Sequence, residues 1–311
     1  MKKALHQKII QEIRKRTPVS IRQIIGPVIA YILYMFSKYV YHGNWKPQVL
    51  SMMETINIIK KEKLSVVRFG DGEIYMLDGG DIPFQKKQGD LTTRLEEVLR
   101  TNTPGLLVCV PGIFDGLEKF DTVAYWFFMH HLYRNGHTWK KLLSMNTTYG
   151  ETNITRPYLA YKDKSHCEKI FKELFSIWED CDVLLIEGSK SRLGVGNDMF
   201  SNVKSLQRIL CPPENAYAKY SEIQNEIIKH ADNKLILLSL GPTAKVLTYD
   251  LFNLGYRVLD IGHIDMEYEM FLRQHTKLTK VPYKYFNEIN ERNPEECVDL
   301  AYLQQIVKQI Q

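Results

Sequence analysis

Between residues 64 and 260 the chain alternates short, β-branched apolar runs with stretches of helix length, and few architectures accept that pattern. Five runs read as strands: 64–69, 106–110, 183–186, 234–240 and 257–260. Segments 49–61, 91–100, 125–133 and 244–254 read as helices, and 296–310 as a closing one. Neighbouring parallel strands need helical crossovers, so the pattern predicts an α/β fold with a doubly wound, largely parallel, Rossmann-like sheet. In such sheets ligands bind beyond the carboxyl ends of the strands. No internal repeat or low-complexity linker divides the chain. One catalytic domain over 47–311, preceded by a helical arm over 1–46, is therefore the expected organisation.

Charge sets the arm apart. Residues 1–45 hold eight Lys/Arg against the single acid Glu12, whereas the rest of the chain nets −2 despite an overall +5. The body thus lacks the basic field of a nucleic-acid binder. Within the arm, Gln23 to Ser37 form fifteen uncharged residues rich in Ile, Val and aromatics. As a helix they would cover roughly 22 Å against roughly 30 Å of hydrocarbon, which favours lying on a bilayer over crossing it. Basic residues before this run and tyrosines within and after it suit an anionic membrane surface, with packing on the body or a partner subunit as the alternative. Five cysteines, odd in number and without a Cys-x-x-Cys pair, disfavour a zinc site or disulfide framework. They point to a reducing cytoplasm, and the arm to a peripheral position on the inner face of the cell membrane.

The chemistry concentrates where strands end. Val66-Val67-Arg68-Phe69-Gly70-Asp71-Gly72-Glu73 carries an Asp-x-Glu framed by glycines. Two carboxylates at a strand tip could seat a hard divalent cation together with a diphosphate. The same octet also reads as a hairpin turn, because Asp-Gly is a strong turn dipeptide. The loop 187–198 combines glycines, hydroxyls and two cations, the ingredients of an anion cradle, yet matches neither a Walker A loop nor a dinucleotide fingerprint. Gly241-Pro242-Thr243 turns the fourth strand into a helix with Thr243 as expected N-cap, placing free N–H groups at the ligand edge. Residues 262–269, with His263, Asp265 and Glu267, form a second acidic cluster right after the fifth strand.

RFGDGE at 68–73, IEGSKSRLGVGND at 186–198, SLGPTAKVL at 239–247 with DIGHIDMEYE at 260–269, and KYFNE at 284–288 occur in an order that resembles the GT-D-type bacterial glycosyltransferases. The resemblance covers roughly 48–290 and leaves the arm outside it. It implies a metal-dependent transferase moving a hexose from a UDP-sugar to a glycan, lipid-linked or glycoprotein acceptor, in surface polysaccharide or glycoprotein assembly. It further implies Mn²⁺ (or Mg²⁺) at an Asp-x-Glu motif that maps onto Asp71 and Glu73. Arg68, Ser191, Arg192, Gly194, Gly196 and Asn197 would then meet the diphosphate or ribose, Phe84 and Gln85 the uracil, and Arg156 an anion. Thr243 and His263 complete the expected binding set. An inverting reaction needs a carboxylate to take the acceptor proton. Glu288, Asp265 and Glu267 are the candidates, Glu288 first because its partly apolar neighbours would lift its pKa. A metal-dependent nucleotide-sugar hydrolase and a non-catalytic nucleotide-binding scaffold at the membrane are the competing expectations.

Overall fold

The structure is a computed structural model that describes residues 31, 32, 35, 45–286, 288 and 293–311. Nine parallel strands form one sheet in the order β1-β4-β3-β2-β8-β7-β5-β6-β9. They are β1 (Gln48–Val49), β2 (Ser65–Arg68), β3 (Leu106–Val110), β4 (Thr148–Glu151), β5 (Asp182–Gly188), β6 (Ser205–Cys211), β7 (Leu235–Ser239), β8 (Val258–Asp260) and β9 (Ile306–Gln309). The helices are α1 (Met52–Lys61), α2 (Asp71–Leu77), α3 (Leu91–Arg100), α4 (Thr122–Leu142), α5 (Cys167–Phe175), α6 (Tyr220–Ala231), α7 (Pro242–Asn253), α8 (Ile264–Leu272) and α9 (Leu300–Gln305).

Successive strand residues serve opposite faces of the sheet, and both faces are covered. Val66, Leu107, Cys109, Val183 and Leu185 pack with Ile56 and Ile59 of α1, Phe171 of α5 and Met270 of α8. Val67, Leu106, Val108 and Val110 pack on the other side with Leu91 and Leu95 of α3 and Trp139 of α4. Leu184, Ile186, Ile236 and Leu238 meet Ile223 of α6 and Leu247 of α7 there. Burial on two faces is why the central strands read as unbroken apolar runs.

The differences from the sequence expectation have local causes. The 49–61 helix starts later, at Met52, because Ser51 caps it in a reciprocal box with Glu54, and Val49 pairs in β1 instead. The closing helix shortens to α9, after which Ile306–Gln309 pairs with β6 as an edge strand. Gly241, at φ +53°, caps α7, while Thr243 lies buried within its first turn and bonds Gln85. The arm expected over 1–46 lies almost wholly outside the described residues, with Tyr31, Ile32 and Met35 helical. No helix among the described residues is long and apolar enough to cross a membrane.

The chain runs β2, β3, β4 outward on one side and sets β8 and β7 against β2 on the other. The order therefore reverses at β2, and the carboxyl ends of β2, β3 and β8 open into a common space.

Candidate active site

Beyond those strand ends lies a cleft of about 850 Å³. Seven of the residues singled out above line it: Arg68, Asp71, Glu73, Phe84, Arg156, His263 and Glu288. Asp71 and Glu73 sit in the first turn of α2, not in a hairpin, since β2 passes straight through Phe69-Gly70 into that helix. Glu73 folds back as a cap, its Oε2 accepting from Gly70 N at 2.9 Å, while its Oε1 meets Lys245 Nζ at 3.0 Å. Lys245 Nζ also contacts Asp260 Oδ2 at 3.1 Å and donates to Gly241 O at 3.1 Å.

Asp260 extends this buried network to Arg68. The guanidinium donates to Asp260 O at 2.7 Å, Thr152 O at 3.1 Å and Thr155 Oγ1 at 2.5 Å, with Asp260 Oδ1 3.4 Å away. Arg68 thus ties the ends of β2 and β8 to the turn after β4. The brace needs Gly262, at φ +47°, because a Cβ there would stand 2.0 Å from Arg68 Nη2. Burial disfavours the Lys245 cation, but Asp260 and Glu73 outweigh that and raise its pKa.

Among the described residues no side chain pairs with Asp71, which hydrogen-bonds only its own backbone N–H. Its carboxylate is exposed at the cleft and accepts no hydrogen bond from another described side chain. Desolvation by the cleft walls raises its pKa, the Glu73 carboxylate adds to the rise, and Arg156 opposes both. Across the cleft, Arg156 Nη2 pairs with Glu288 Oε1 at 2.5 Å. Burial raises the Glu288 pKa, but Arg156 first and His263 second override it and hold the carboxyl at about 2. The apolar environment expected to lift this acid is therefore outweighed by a cation that the sequence did not place beside it. Burial lowers the His263 pKa; the Glu288 carboxylate opposes the fall, but Arg156, Arg68 and Lys245 add to it, which favours the neutral ring.

Asp265 and Glu267 do not line the cleft. Both point into buried networks that hold the frame. Asp265 receives Lys284 Nζ at 2.8 and 3.0 Å, Gly194 N at 2.8 Å and Asn197 Nδ2 at 2.8 Å. Glu267 Oε1 receives the N–H groups of Tyr158 and Leu159 at 2.8 and 2.6 Å. The glycine loop after β5 does cradle an anion, but that anion is the protein's own Asp265. Arg192 points elsewhere, its Nη1 donating to Tyr283 O at 2.6 Å and Glu295 O at 2.5 Å. Gly194, Gly196 and Asn197 line a separate surface hollow beside β6.

Ser191 and Gln85 line a small recess of about 30 Å³ that shares Phe84, Gly241 and His263 with the cleft. Thr243, fully buried, donates to Gln85 Oε1 at 3.3 Å and so braces the recess from beneath. Lys245 and Asp260 were missed in the sequence. A single lysine inside the apolar stretch Ala244–Leu247 and an acid closing β8 were their signals, the same strand-end placement that exposed Asp71.

A doubly wound sheet whose carboxyl edge gathers Asp71, Arg156 and Lys245 into one cleft is an open α/β fold with its candidate ligand site at the strand ends. The family model described as "Glycosyltransferase GT-D fold" matches residues 66–289. Solved structures agree: one described as "The highly conserved domain of unknown function 1792 has a distinct glycosyltransferase fold" superposes at TM-score 0.83 with 37% identity, covering 92% of this chain and all of that one. "A New Glycosyltransferase (DUF1792) from Streptococcus sanguinis" superposes at TM-score 0.83 with 40% identity, over 86% of this chain and all of that one. The chain is also similar to "Probable glycosyl transferase Gly" of Streptococcus gordonii, 41% identical over 83% of this chain and 38% of that protein. It is 40% identical to "Glycosyltransferase GlyD" of Streptococcus pneumoniae serotype 4, over 85% of this chain and 32% of that protein. It thus spans about a third of the length of these curated relatives. The chain belongs to the family of glycosyltransferases with the GT-D fold.

Proposed function

We propose that the chain is a metal-dependent glycosyltransferase that moves a hexose from a UDP-sugar to a glycan acceptor in surface polysaccharide or glycoprotein assembly. The observation that carries this reading is the unpaired Asp71 carboxylate beside Glu73, facing Arg156 across the cleft. No group of three or more His, Cys, Asp or Glu that could hold a metal occurs among the described residues. The donor set nevertheless fits Mn²⁺ or Mg²⁺, which commonly take one or two carboxylates and complete their shell with water and diphosphate oxygens. Asp71 and Glu73 would hold the ion, and Asp71 gains most, since a cation offsets the desolvation, and after it the Glu73 repulsion, that raise its pKa. Bound there, the ion would neutralise charge developing on the departing diphosphate.

The chain's own groups supply the rest. Arg156 offers a guanidinium to a donor phosphate oxygen, and Lys245 keeps Glu73 oriented. Phe84 and the recess around Gln85 offer a flat apolar wall and a polar floor for the nucleobase. Glu288 Oε1 takes the acceptor hydroxyl proton. While paired with Arg156 it is a weak base, with a pKa of about 2. An Arg156 drawn toward the donor diphosphate leaves Glu288 to its desolvated surroundings, which raise that pKa and strengthen the base when donor is present.

The test is a panel of UDP-, GDP- and TDP-sugars with Mn²⁺, scored for turnover and for the fate of the sugar. UDP-sugar turnover redirected to product by glycan acceptors is expected. Turnover that releases free sugar whatever the acceptor would instead mark a hydrolase.

A further inference from the structure

The strand order divides the cleft at β2. On one side the recess over the ends of β8, β7 and β5 takes up His263, Gly241 and Ser191, and β2 itself leads into Asp71 and Glu73. With nucleobase and diphosphate at those two positions, the lining beyond β2, over the ends of β3 and β4, meets neither. It includes Asp121, Phe127 and Phe128 around the start of α4, which follows β3, and Asn153 in the turn after β4.

These side chains are held from beneath. Phe120, fully buried, packs on Phe128 with ring centroids 4.6 Å apart, and Phe128 in turn meets Phe127 edge to face at 5.3 Å. Phe127 nevertheless stays 49% exposed, a supported ring open to the cleft. Asp121 caps α4 through one oxygen only: Oδ1 accepts from Ala124 N at 2.8 Å, and among the described residues nothing donates to Oδ2. Its own N–H is tied to Ala160 O at 2.9 Å, which fixes the backbone under the carboxylate. Asn153, anchored through its N–H on Glu151 Oε1 at 3.0 Å, adds an amide side chain to the same wall. An open aromatic ring beside a carboxylate oxygen with spare lone pairs suits a sugar ring, whose C–H face is apolar and whose hydroxyls donate hydrogen bonds.

We propose that Phe127 and Asp121 form the acceptor subsite, taking the terminal sugar of a saccharide with its C–H face on the Phe127 ring and its hydroxyls donating to Asp121 Oδ2. The word acceptor rests on the transferase reading, whereas the saccharide subsite does not. The occupant follows from the pair: a serine or threonine hydroxyl of a bare peptide brings no ring face to cover Phe127, and an anionic group is repelled by Asp121. The subsite makes no bond itself. In the transfer, the anomeric carbon leaves the diphosphate oxygen and joins the oxygen of an acceptor hydroxyl, whose proton passes to Glu288.

Saturation-transfer NMR of the full chain with UDP and Mg²⁺ tests the subsite without requiring turnover, with methyl β-glucoside, methyl β-galactoside and methyl β-N-acetylglucosaminide as probes. Saturation concentrated on the C–H protons of one sugar face is expected for at least one probe. Phe127→Ala should weaken that probe's binding roughly tenfold, the order of an aromatic contact, and Phe127→Trp should restore it. Asp121→Asn keeps the helix cap, since Asn serves there as well as Asp, yet should weaken binding about fivefold by removing the charge from the accepting oxygen. Circular dichroism and UDP affinity should match the wild type in both variants, which separates loss of the subsite from loss of the fold. No probe binding, or binding left unchanged by Phe127→Ala or by Asp121→Asn, would overturn the proposal. So would displacement of the bound glycoside by a Ser/Thr-rich peptide. Phe127-dependent glycoside binding without any UDP-sugar turnover would sink the transferase reading and leave the subsite standing.

Discussion

Lys245 is the side chain on which the cleft floor depends. It is 5% exposed and neutralises both Glu73 and Asp260, so Lys245→Met would leave Glu73 buried without its cation and Asp260 with Arg68 alone. A loss of roughly 3–5 kcal/mol is expected, read as a fall in urea midpoint with little change in slope. His131 makes stability depend on pH. Its ring, 8% exposed, accepts from Trp139 Nε1 at 2.8 Å, and burial lowers its pKa from 6.5 to about 4. The unfolded chain therefore binds the extra proton first. The contribution is complete above pH 6.5 and is lost as pH falls toward 4, amounting to about 3 kcal/mol at roughly 1.4 kcal/mol per unit. Urea titrations at pH 7.5 and 4.5 should show His131→Gln losing less stability than wild type across that interval. At Glu288 the sign is set by its partner. Arg156→Gln removes the strongest lowering influence while His263 still acts in the same direction, so the acidic limb of the kcat/KM profile, which reports the free enzyme, should move upward from about 2. A limb that stays in place would dissociate Glu288 from proton transfer.

At the scale of elements, the cleft is held by turns that join strand ends. Gly262 lets Arg68 pass between β8 and α8, so Gly262→Ala combines a strained positive φ with displacement of the guanidinium. A cost on the order of 1–3 kcal/mol is expected, together with a raised KM for the donor as the cleft floor shifts. The central strands were legible because burial on two faces writes an unbroken apolar run, as in Leu106–Val110. β4, with the sequence Thr-Tyr-Gly-Glu, and β6, which carries Gln207 and an Arg208 buried against Glu187 of β5, write no such run. β9 follows a short helix and is a strand because β6 offers it an edge, which no local pattern announces. Among the acids, sequence placed Asp71, Asp265 and Glu267 at strand ends alike. It could not distinguish the one facing solvent from the two claimed by Lys284 and by the 158–159 backbone, since those partners lie 19 and more than 100 residues away.

For the whole molecule, the sheet order places every group invoked here on one rim. β2 and its neighbours β3 and β8 deliver the acids and glycines, and the segment after α8 returns Glu288 across the opening. The GT-D resemblance seen in five scattered motifs describes this convergence, together with the Lys284–Asp265 lock that fixes the returning segment. The metal seat is the point on which the rest turns, and calorimetric titration of UDP tests it most directly. The account predicts saturable binding with Mn²⁺ that weakens at least about tenfold in EDTA and equally in Asp71→Asn, the two losses not adding because they remove one interaction. UDP binding of unchanged affinity in EDTA and in Asp71→Asn would contradict it.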